Sequence, residues 1–148
     1  MLLLSKMQNL QKFYIDGHWV APQSRKKMPV VNPATEEVIG EVILGNKEDV
    51  NIAVKAAKNA FMSFSKTSKD ERMNILKNIR KISEERFDDL ADAMTTEMGA
   101  PRKMSREAQA DAAIGHLDGF ISALEKHEEK IELSNTDILL KEPIGVCG

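Results

Sequence analysis

The single cysteine, Cys147, is the strongest potential nucleophile in this 148-residue sequence. A cysteine reacts as its thiolate, which forms when a cationic group or a helix start lowers the pKa of the thiol. Cys147 instead lies in an uncharged run from Pro143 to Gly148, with Ile144 and Val146 as apolar neighbours. Such surroundings favour a neutral, buried thiol. We therefore predict that Cys147 is a buried structural residue without a catalytic role.

Histidines and clustered aspartates are further candidates for acid–base or metal chemistry. They are His18, His116, His127, Asp88, Asp89 and Asp92. The histidines are scattered and have no second cysteine or close histidine at zinc-site spacing. The aspartates lack the glycine-centred loop of a calcium site and fall where an amphipathic helix should be polar. We interpret the histidines as solvated or hydrogen-bonded, and the aspartates as a solvated helix face.

The overall composition narrows the class of protein. The sequence is 42% hydrophobic and 30% charged, which suits one globular domain, and its formal net charge is −2. A net charge this close to zero creates no overall electrostatic attraction for nucleic acid. The basic run Arg25–Lys27 is too short for a nucleic-acid interface. The apolar run Met1–Leu4 is too short for a signal peptide or a membrane span. We expect a cytoplasmic protein without nucleic-acid or membrane partners.

Short extended segments occupy the first part of the chain, and helices follow. Aromatic and β-branched residues flank Asp16-Gly17, which predicts a hairpin within 13–20, and 37–42 reads as another strand. Asn46 and Ser68 are predicted helix caps, the latter in a capping box with Glu71. The helical pattern that begins after Ser68 predicts either one long helix or two helices with a joint near Glu84. Gly99 and Pro101 end it.

Apolar residues at helical spacing mark the faces that these helices should bury. The predicted stripe contains Val50, Val54, Ala57, Phe61, Phe64, Ile75, Leu76, Ile79, Ile82, Phe87, Leu90 and Met94. A third helix from Ser105 is predicted to place Ala108, Ala112, Leu117, Ile121 and Leu124 on one side. Residues 131–133 and 138–141 read as strands, and 143–148 reads as a buried strand just beginning. We therefore expect further sequence to complete the core.

Six segments, in order, resemble the amino-terminal part of the NAD(P)-dependent aldehyde dehydrogenase family. These segments are 14–20, 31–40, 49–61, 71–72, 97–101 and 141–148. Two positions depart from the family pattern: Phe64 stands where many members have Trp, and Ala100 replaces a common Lys. Both departures suggest a divergent subfamily. The resemblance covers essentially the whole chain from Phe13.

The resemblance implies an α/β fold, the amino-terminal part of the aldehyde dehydrogenase fold. Short strands and three long helices would precede a β-hairpin that enters a parallel sheet. Residues 1–12 would be an N-terminal tail, and 13–148 would be an incomplete cofactor-binding domain. Within it, 131–141 would form part of the oligomerisation hairpin, which implies a homo-oligomer.

The resemblance also implies an activity that this segment cannot perform alone. In the family, a cysteine thiolate attacks the aldehyde, hydride passes to NAD or NADP, and a glutamate-activated water releases the acid. The family places those groups downstream of this segment. We therefore expect no catalytic and no cofactor-binding residue here. NAD or NADP is expected to bind the complete enzyme, and not this chain alone.

One site can be carried onto this sequence from the family. In several members, a monovalent cation is held by backbone carbonyls just before the Asn-Pro pair and by the acid before the Gly-x-Pro turn. Here these residues are Val30, Val31 and Glu97. Hard cations prefer such oxygen ligands. The alternative interpretation is that Glu97 is only an acid at a helix end.

Three hypotheses for the function stay open at this point. The chain is a piece of an aldehyde dehydrogenase whose chemistry lies beyond Gly148, or it is an inactive truncated product with a structural or subunit-interaction role. An independent helical binding module is a more distant third, because its final strand would have no purpose. Reading the coding frame past Gly148 separates the first two.

Overall fold

The computed structural model describes residues 11–148, so most of the predicted tail 1–12 lies outside the described residues. In chain order the strands and helices are β1 Phe13–Ile15, β2 His18–Val20, β3 Lys27–Val31, β4 Val38–Ile43, α1 Lys47–Phe64, α2 Lys69–Glu85, α3 Phe87–Met98, α4 Arg102–Met104, a π-helix Ser105–Ala110, α5 Asp111–Lys126, β5 Lys130–Glu132 and β6 Ile138–Leu140. The fold is a mixed α/β arrangement, as predicted.

The strands form three separate antiparallel pairs, β1 with β2, β3 with β4, and β5 with β6. The predicted turn at Asp16 and Gly17 is confirmed, and both residues have positive φ, at 54° and 78°. Ser134 and Asp137 close the predicted β5–β6 turn, since the Ser134 hydroxyl lies 2.6 Å from the Asp137 carboxylate.

The predicted helix boundaries agree closely with the structure. Asn46 and Asp49 form a capping box at the start of α1, and Ser68 and Glu71 form one at the start of α2. The joint expected near Glu84 is present, because α2 ends at Glu85 and α3 begins two residues later. Gly99 ends α3 in the left-handed conformation, with a φ of 70°.

Helices α2 and α5 pack side by side, and ion pairs link them. The Arg80 Nε lies 2.5 Å from an Asp118 carboxylate oxygen, and Arg72 pairs with Glu129 just beyond α5. The Lys69 ammonium donates to the backbone carbonyls of Glu125 and His127. Lys69, at the start of α2, therefore satisfies carbonyls that the end of α5 leaves without partners.

The interior of the described region is small. The buried residues are Asp49, Ala91, Ser105 and Ala110. Most of the predicted apolar stripe is at least partly accessible: Val50 is 58% exposed and Phe64 is 53% exposed. The described residues therefore leave much of their helical apolar surface uncovered. No helix among them is long and apolar enough to cross a membrane.

The face predicted for the third helix is wrong in its first part. Ala108 and Ala112 are exposed, whereas Ser105 and Ala110 have 0% exposure. The reason is the π-helix, whose hydrogen bonds span five residues instead of four. This extra residue shifts the register of the buried face. Leu117, Ile121 and Leu124, beyond the π-helix, are partly buried.

The strand predicted at 143–148 is absent from the structure, and the predicted burial of Cys147 is wrong. Residues 141–148 adopt no regular secondary structure, Ile144 is 94% exposed, and Cys147 is exposed. A strand forms only where another strand accepts its backbone hydrogen bonds. No strand within residues 11–148 pairs with this segment.

Candidate functional site

The turn between β3 and β4, residues 32–37, is ordered by its own hydrogen bonds, and we call it the Asn32 turn. The Asn32 side chain accepts a bond from the Ala34 N–H at 2.9 Å, and the Asn32 carbonyl accepts one from Glu36 at 2.7 Å. This side-chain bond to the backbone two residues ahead is an Asx-turn. Pro33 sits at the exposed tip.

A bulge interrupts the β3–β4 ladder beside two predicted cation ligands. Val30 pairs with Gly40 and Val31 pairs with Val38, so Ile39 is an extra residue in β4. A bulge disrupts the regular ladder and changes the direction of nearby backbone groups. The carbonyls of Val30 and Val31 therefore lie at an irregular point of the sheet, immediately before the Asn32 turn.

The end of α3 packs against the Asn32 turn, and the contact requires glycine. A Cβ placed on Gly99 would lie 2.6 Å from the Pro33 Cγ and 3.6 Å from the Ala34 nitrogen. We call residues 99–101 the Gly99 turn. Glu97, two residues before Gly99, is an exposed acid in the last turn of α3. The structure thus brings the segment that carries Glu97 next to the one that carries Val30 and Val31.

The electrostatics of this junction favour a cation. The carboxyl end of a helix carries a partial negative charge, and the last turn of α3 contains no basic residue. The Glu97 carboxylate adds a formal negative charge, and backbone carbonyls of β3 would add neutral oxygen ligands. Oxygen ligands of this kind suit hard cations. The assignment of Val30, Val31 and Glu97 as ligands stays a prediction.

The starts of helices α1, α2 and α3 do not suit a dinucleotide phosphate. A phosphate site needs free N–H groups at a helix start, usually after clustered glycines. Acids occupy the first turn of each helix: Glu48 and Asp49 in α1, Asp70 and Glu71 in α2, Asp88 and Asp89 in α3. These carboxylates satisfy the N–H groups or repel an anion. The residues present therefore do not fit a dinucleotide phosphate at these positions.

Two of these capping acids have lowered pKa values. The backbone N–H of Gln23 is the main cause of the lowered pKa of Asp49, and N–H groups of Asn46 and Ser24 add to it. The backbone N–H of Ser68 is the main cause of the lowered pKa of Glu71, and the Ser68 hydroxyl adds to it. Both acids therefore favour the charged form that caps a helix.

Sequence reasoning missed an open groove between the start of α2 and the end of α5. Its volume is about 800 Å³, and it is lined by Ser65, Lys66, Thr67, Arg72, Phe120, Ala123, Leu124, His127, Glu129, Lys141, Glu142 and Pro143. The Arg72 Nε is buried without a hydrogen-bond partner. The bond from Arg72 is also the main cause of the lowered pKa of Glu129. The lining residues come from three segments, 65–72, 120–129 and 141–143, which only the tertiary structure brings together.

The other candidate residues do not gather into a reactive site. His18 and His116 are exposed, and His127 lines the groove. The three aspartates are paired and not merely solvated: Asp88 with Arg106, Asp89 with Arg86, and Asp92 with Arg102. Within residues 11–148, no group of three or more histidine, cysteine or acidic side chains could hold a metal ion.

Comparison with known proteins gives one consistent result. The aldehyde dehydrogenase family profile matches residues 19–148. The chain is 41% identical to a 3-succinoylsemialdehyde-pyridine dehydrogenase from a Pseudomonas species, over 96% of this chain and 30% of that protein. It is 43% identical to a putative aldehyde dehydrogenase from Staphylococcus aureus, over 96% of this chain and 30% of that protein. The chain thus spans about 30% of the length of these relatives.

Solved structures of related proteins share the fold of the described residues. Aldehyde dehydrogenase C from Pseudomonas syringae, solved with NAD+ and octanal, superimposes with a TM-score of 0.84 at 39% identity, over 86% of this chain and 26% of that one. Betaine aldehyde dehydrogenase from Staphylococcus aureus, solved with NAD+, gives a TM-score of 0.86 at 28% identity, over 97% of this chain and 29% of that one. The described strands and helices match the amino-terminal part of both folds. The chain belongs to the aldehyde dehydrogenase family.

Proposed function

We propose that this chain is the amino-terminal part of an oxidoreductase that oxidises an aldehyde to a carboxylic acid with NAD or NADP. The observation that carries the proposal is partial coverage at high similarity: 96% of this chain matches 30% of a semialdehyde dehydrogenase. The nucleophilic cysteine, the activating glutamate and the dinucleotide site would be supplied by sequence beyond Gly148. Residues 13–148 would serve as an incomplete part of the cofactor-binding domain.

The uncovered apolar surface supports this proposal. Val50, Phe64, Ile79 and Ile82 are between 46% and 58% exposed, although they lie on long helices of a chain with a 42% hydrophobic composition. Apolar faces of this kind are normally covered by another layer of secondary structure. The remainder of an aldehyde dehydrogenase would provide that layer. In the intact enzyme, this segment would therefore be a scaffold and not a catalytic unit.

The junction of the Asn32 and Gly99 turns is proposed to bind a monovalent cation through Val30, Val31 and Glu97. The bulge beside Val30 and Val31, the contact of Gly99 with Pro33 and the negative end of α3 support this assignment. A cation at this point would hold the β3–β4 pair against the end of α3. Its role would be structural, since no reacting group is near it in sequence.

The hairpin within 131–141 is proposed to contribute to a homo-oligomer. It is a two-stranded sheet whose apolar residues are largely accessible: Leu133 is 64% exposed and Leu140 is 62% exposed. An isolated two-stranded hairpin has little stability in water and needs a further surface. A second subunit would supply that surface.

A cytoplasmic location is also proposed. The sequence contains a single cysteine, which cannot form an internal disulfide and therefore suits a reducing compartment.

The coding sequence past Gly148 tests the proposed function directly. In the family, the strand that 141–148 resembles leads into a Pro-Trp-Asn motif that contacts the cofactor. Continuation into this motif, followed downstream by a catalytic cysteine and glutamate, would support the proposal. Aldehyde-dependent formation of NADH or NADPH by the resulting protein should then be measured. A stop codon directly after Gly148 would contradict the enzyme proposal. The chain would then be an inactive product with a structural or subunit-interaction role, as its exposed hairpin would allow.

A further inference from the structure

Two hydroxyl groups, one buried and one partly buried, connect the end of α3 to the start of the π-helix. The Thr95 hydroxyl donates to the Ser105 Oγ at 2.8 Å, and the Ala91 carbonyl, 3.0 Å away, is a second acceptor for it. The Ser105 hydroxyl donates to the Ala100 carbonyl at 3.3 Å. Ser105 has 0% exposure and Thr95 is partly buried. We call this chain of bonds from Thr95 through Ser105 to Ala100 the hydroxyl relay. It ends on the residue that directly follows Gly99.

The π-helix places Ser105 at this position. Ser105 and Ala110 are five residues apart and both have 0% exposure. In a regular α-helix, residues five apart point about 140° away from each other, so both could not face the same neighbour. The five-residue hydrogen bonds of a π-helix bring them closer to one face. An irregular helix therefore buries the Ser105 hydroxyl against α3.

The relay adjoins the segments that carry the candidate cation ligands. It fixes the Ala100 carbonyl, and the neighbouring Gly99 packs directly on Pro33. Pro33 belongs to the Asn32 turn, which follows Val31. Glu97 lies two residues before Gly99 and two residues after Thr95. Thr95 and Ser105 thus bracket the segment whose carboxylate must be held at a fixed distance from the β3 carbonyls.

We propose that Thr95 and Ser105 are positioning residues for the cation site: the hydroxyl relay between them holds the Gly99 turn, and with it Glu97, against the Asn32 turn. The inference rests on the cation site proposed above. Neither hydroxyl contacts the ion. Each acts by restricting the backbone between residues 95 and 101, which reduces the ordering that cation binding must otherwise impose.

The test compares hydroxyl-deleted variants of the complete protein, in which residues 1–148 are followed by the rest of the enzyme, with matched controls. Thr95→Val and Ser105→Ala each remove one of the two relay hydroxyls, whereas Thr95→Ser keeps a hydroxyl at position 95 and leaves Ser105 unchanged. Thr96→Val is the matched control, because the Thr96 hydroxyl donates to the Asp92 carbonyl at 2.8 Å, four residues earlier, and takes no part in the relay. Hydrogen exchange of the peptides covering 30–37 and 95–101 is measured against KCl concentration, with tetramethylammonium chloride at equal ionic strength as the reference salt.

We expect K⁺ to protect both peptides, and the half-saturating K⁺ concentration to rise by about tenfold in Thr95→Val and Ser105→Ala, equivalent to ~1.4 kcal/mol. Thr95→Ser and Thr96→Val should behave like the unchanged chain. Equal K⁺ responses in all five proteins would overturn the positioning role alone. A Thr96→Val shift as large as that of Thr95→Val would also overturn it, since general loosening of α3 would then be the cause. No K⁺ response in the unchanged chain would overturn the cation site and this inference with it.

Discussion

The Asp49 carboxylate accepts a hydrogen bond from the Gln23 backbone N–H at 2.7 Å, across 26 positions of sequence. The same carboxylate accepts the Asn46 N–H at 2.9 Å, so one side chain caps α1 and also ties down the segment between β2 and β3. Asp49 is only 5% exposed. A buried carboxylate with several N–H donors is stabilised in its charged form.

This arrangement predicts a pH-dependent loss of stability. The folded-state pKa of Asp49 lies below its ordinary value of 3.8. The stabilisation is therefore fully present above pH 3.8 and is lost as the pH falls through the lower, folded-state value. Asp49→Asn should be less stable than the unchanged chain near neutral pH, and the difference should shrink at acid pH. Urea unfolding of the complete protein at a series of pH values measures this difference in stability. The control is Asp70→Asn, in the exposed first turn of α2, and an equal pH effect there would contradict the prediction.

Substitution of Gly99 by alanine in the complete protein should lower the free energy of unfolding, measured by urea denaturation. The residue has a φ of 70°, and a Cβ would lie 2.6 Å from the Pro33 Cγ. Left-handed strain in a non-glycine residue costs on the order of 1–3 kcal/mol. Gly115→Ala is the matched control, since Gly115 lies in α5 with nothing near its Cβ position. That change should raise the unfolding free energy by roughly 0.5–1 kcal/mol. Similar effects at both positions would refute the argument for Gly99.

The isolated chain of residues 1–148 should not oxidise aldehydes with either nicotinamide cofactor. The nucleophilic cysteine and the activating glutamate of the family are expected downstream of this segment, and acids fill the first turns of α1, α2 and α3. Absorbance at the NADH wavelength, with octanal as one test substrate, measures turnover. Formation of NADH or NADPH above a protein-free blank would contradict this prediction. A complete aldehyde dehydrogenase assayed in parallel is the positive control.

Replacement of Cys147 by serine in the complete protein should leave turnover within a few fold of the unchanged enzyme. Among residues 11–148, the Cys147 sulfur makes a hydrogen bond to the Gly145 carbonyl at 3.9 Å, and no ion pair involves it. Such a contact does not activate a thiol. A loss of turnover on the order of a thousandfold, with folding intact by circular dichroism, would instead identify Cys147 as a chemical participant.

Residues 1–148 expressed alone should bind a hydrophobic dye, self-associate and lack a sharp thermal transition. Large apolar side chains are exposed on every long helix, including Met62 at 72% and Phe120 at 64%. At ~25 cal/mol per Å² of apolar surface, several hundred Å² of missing cover is comparable with the stability of a whole domain. A longer chain should lose the dye binding. A cooperative, dye-free monomer at micromolar concentration would favour an autonomous binding module.

The sequence by itself determined the local elements of this fold, because their signals are local. Asp16-Gly17 can adopt positive φ, so it forms the first hairpin turn. Asn46 and Ser68 accept the N–H groups of the turn that follows them, so they begin helices. Gly99 ends α3 because glycine readily adopts the left-handed conformation of a helix C-cap. The ordered series of short motifs was also sufficient to identify the family, which the match over residues 19–148 confirms.

Only the tertiary structure decided which of these elements touch. The π-helix at Ser105 has no local sequence signal, and it moved the buried face from Ala108 to Ala110. The contact of Gly99 with Pro33 and the hydroxyl relay both depend on packing between segments distant in sequence. Cys147 failed as a predicted buried residue because burial depends on a partner surface, and apolar neighbours in sequence do not supply one.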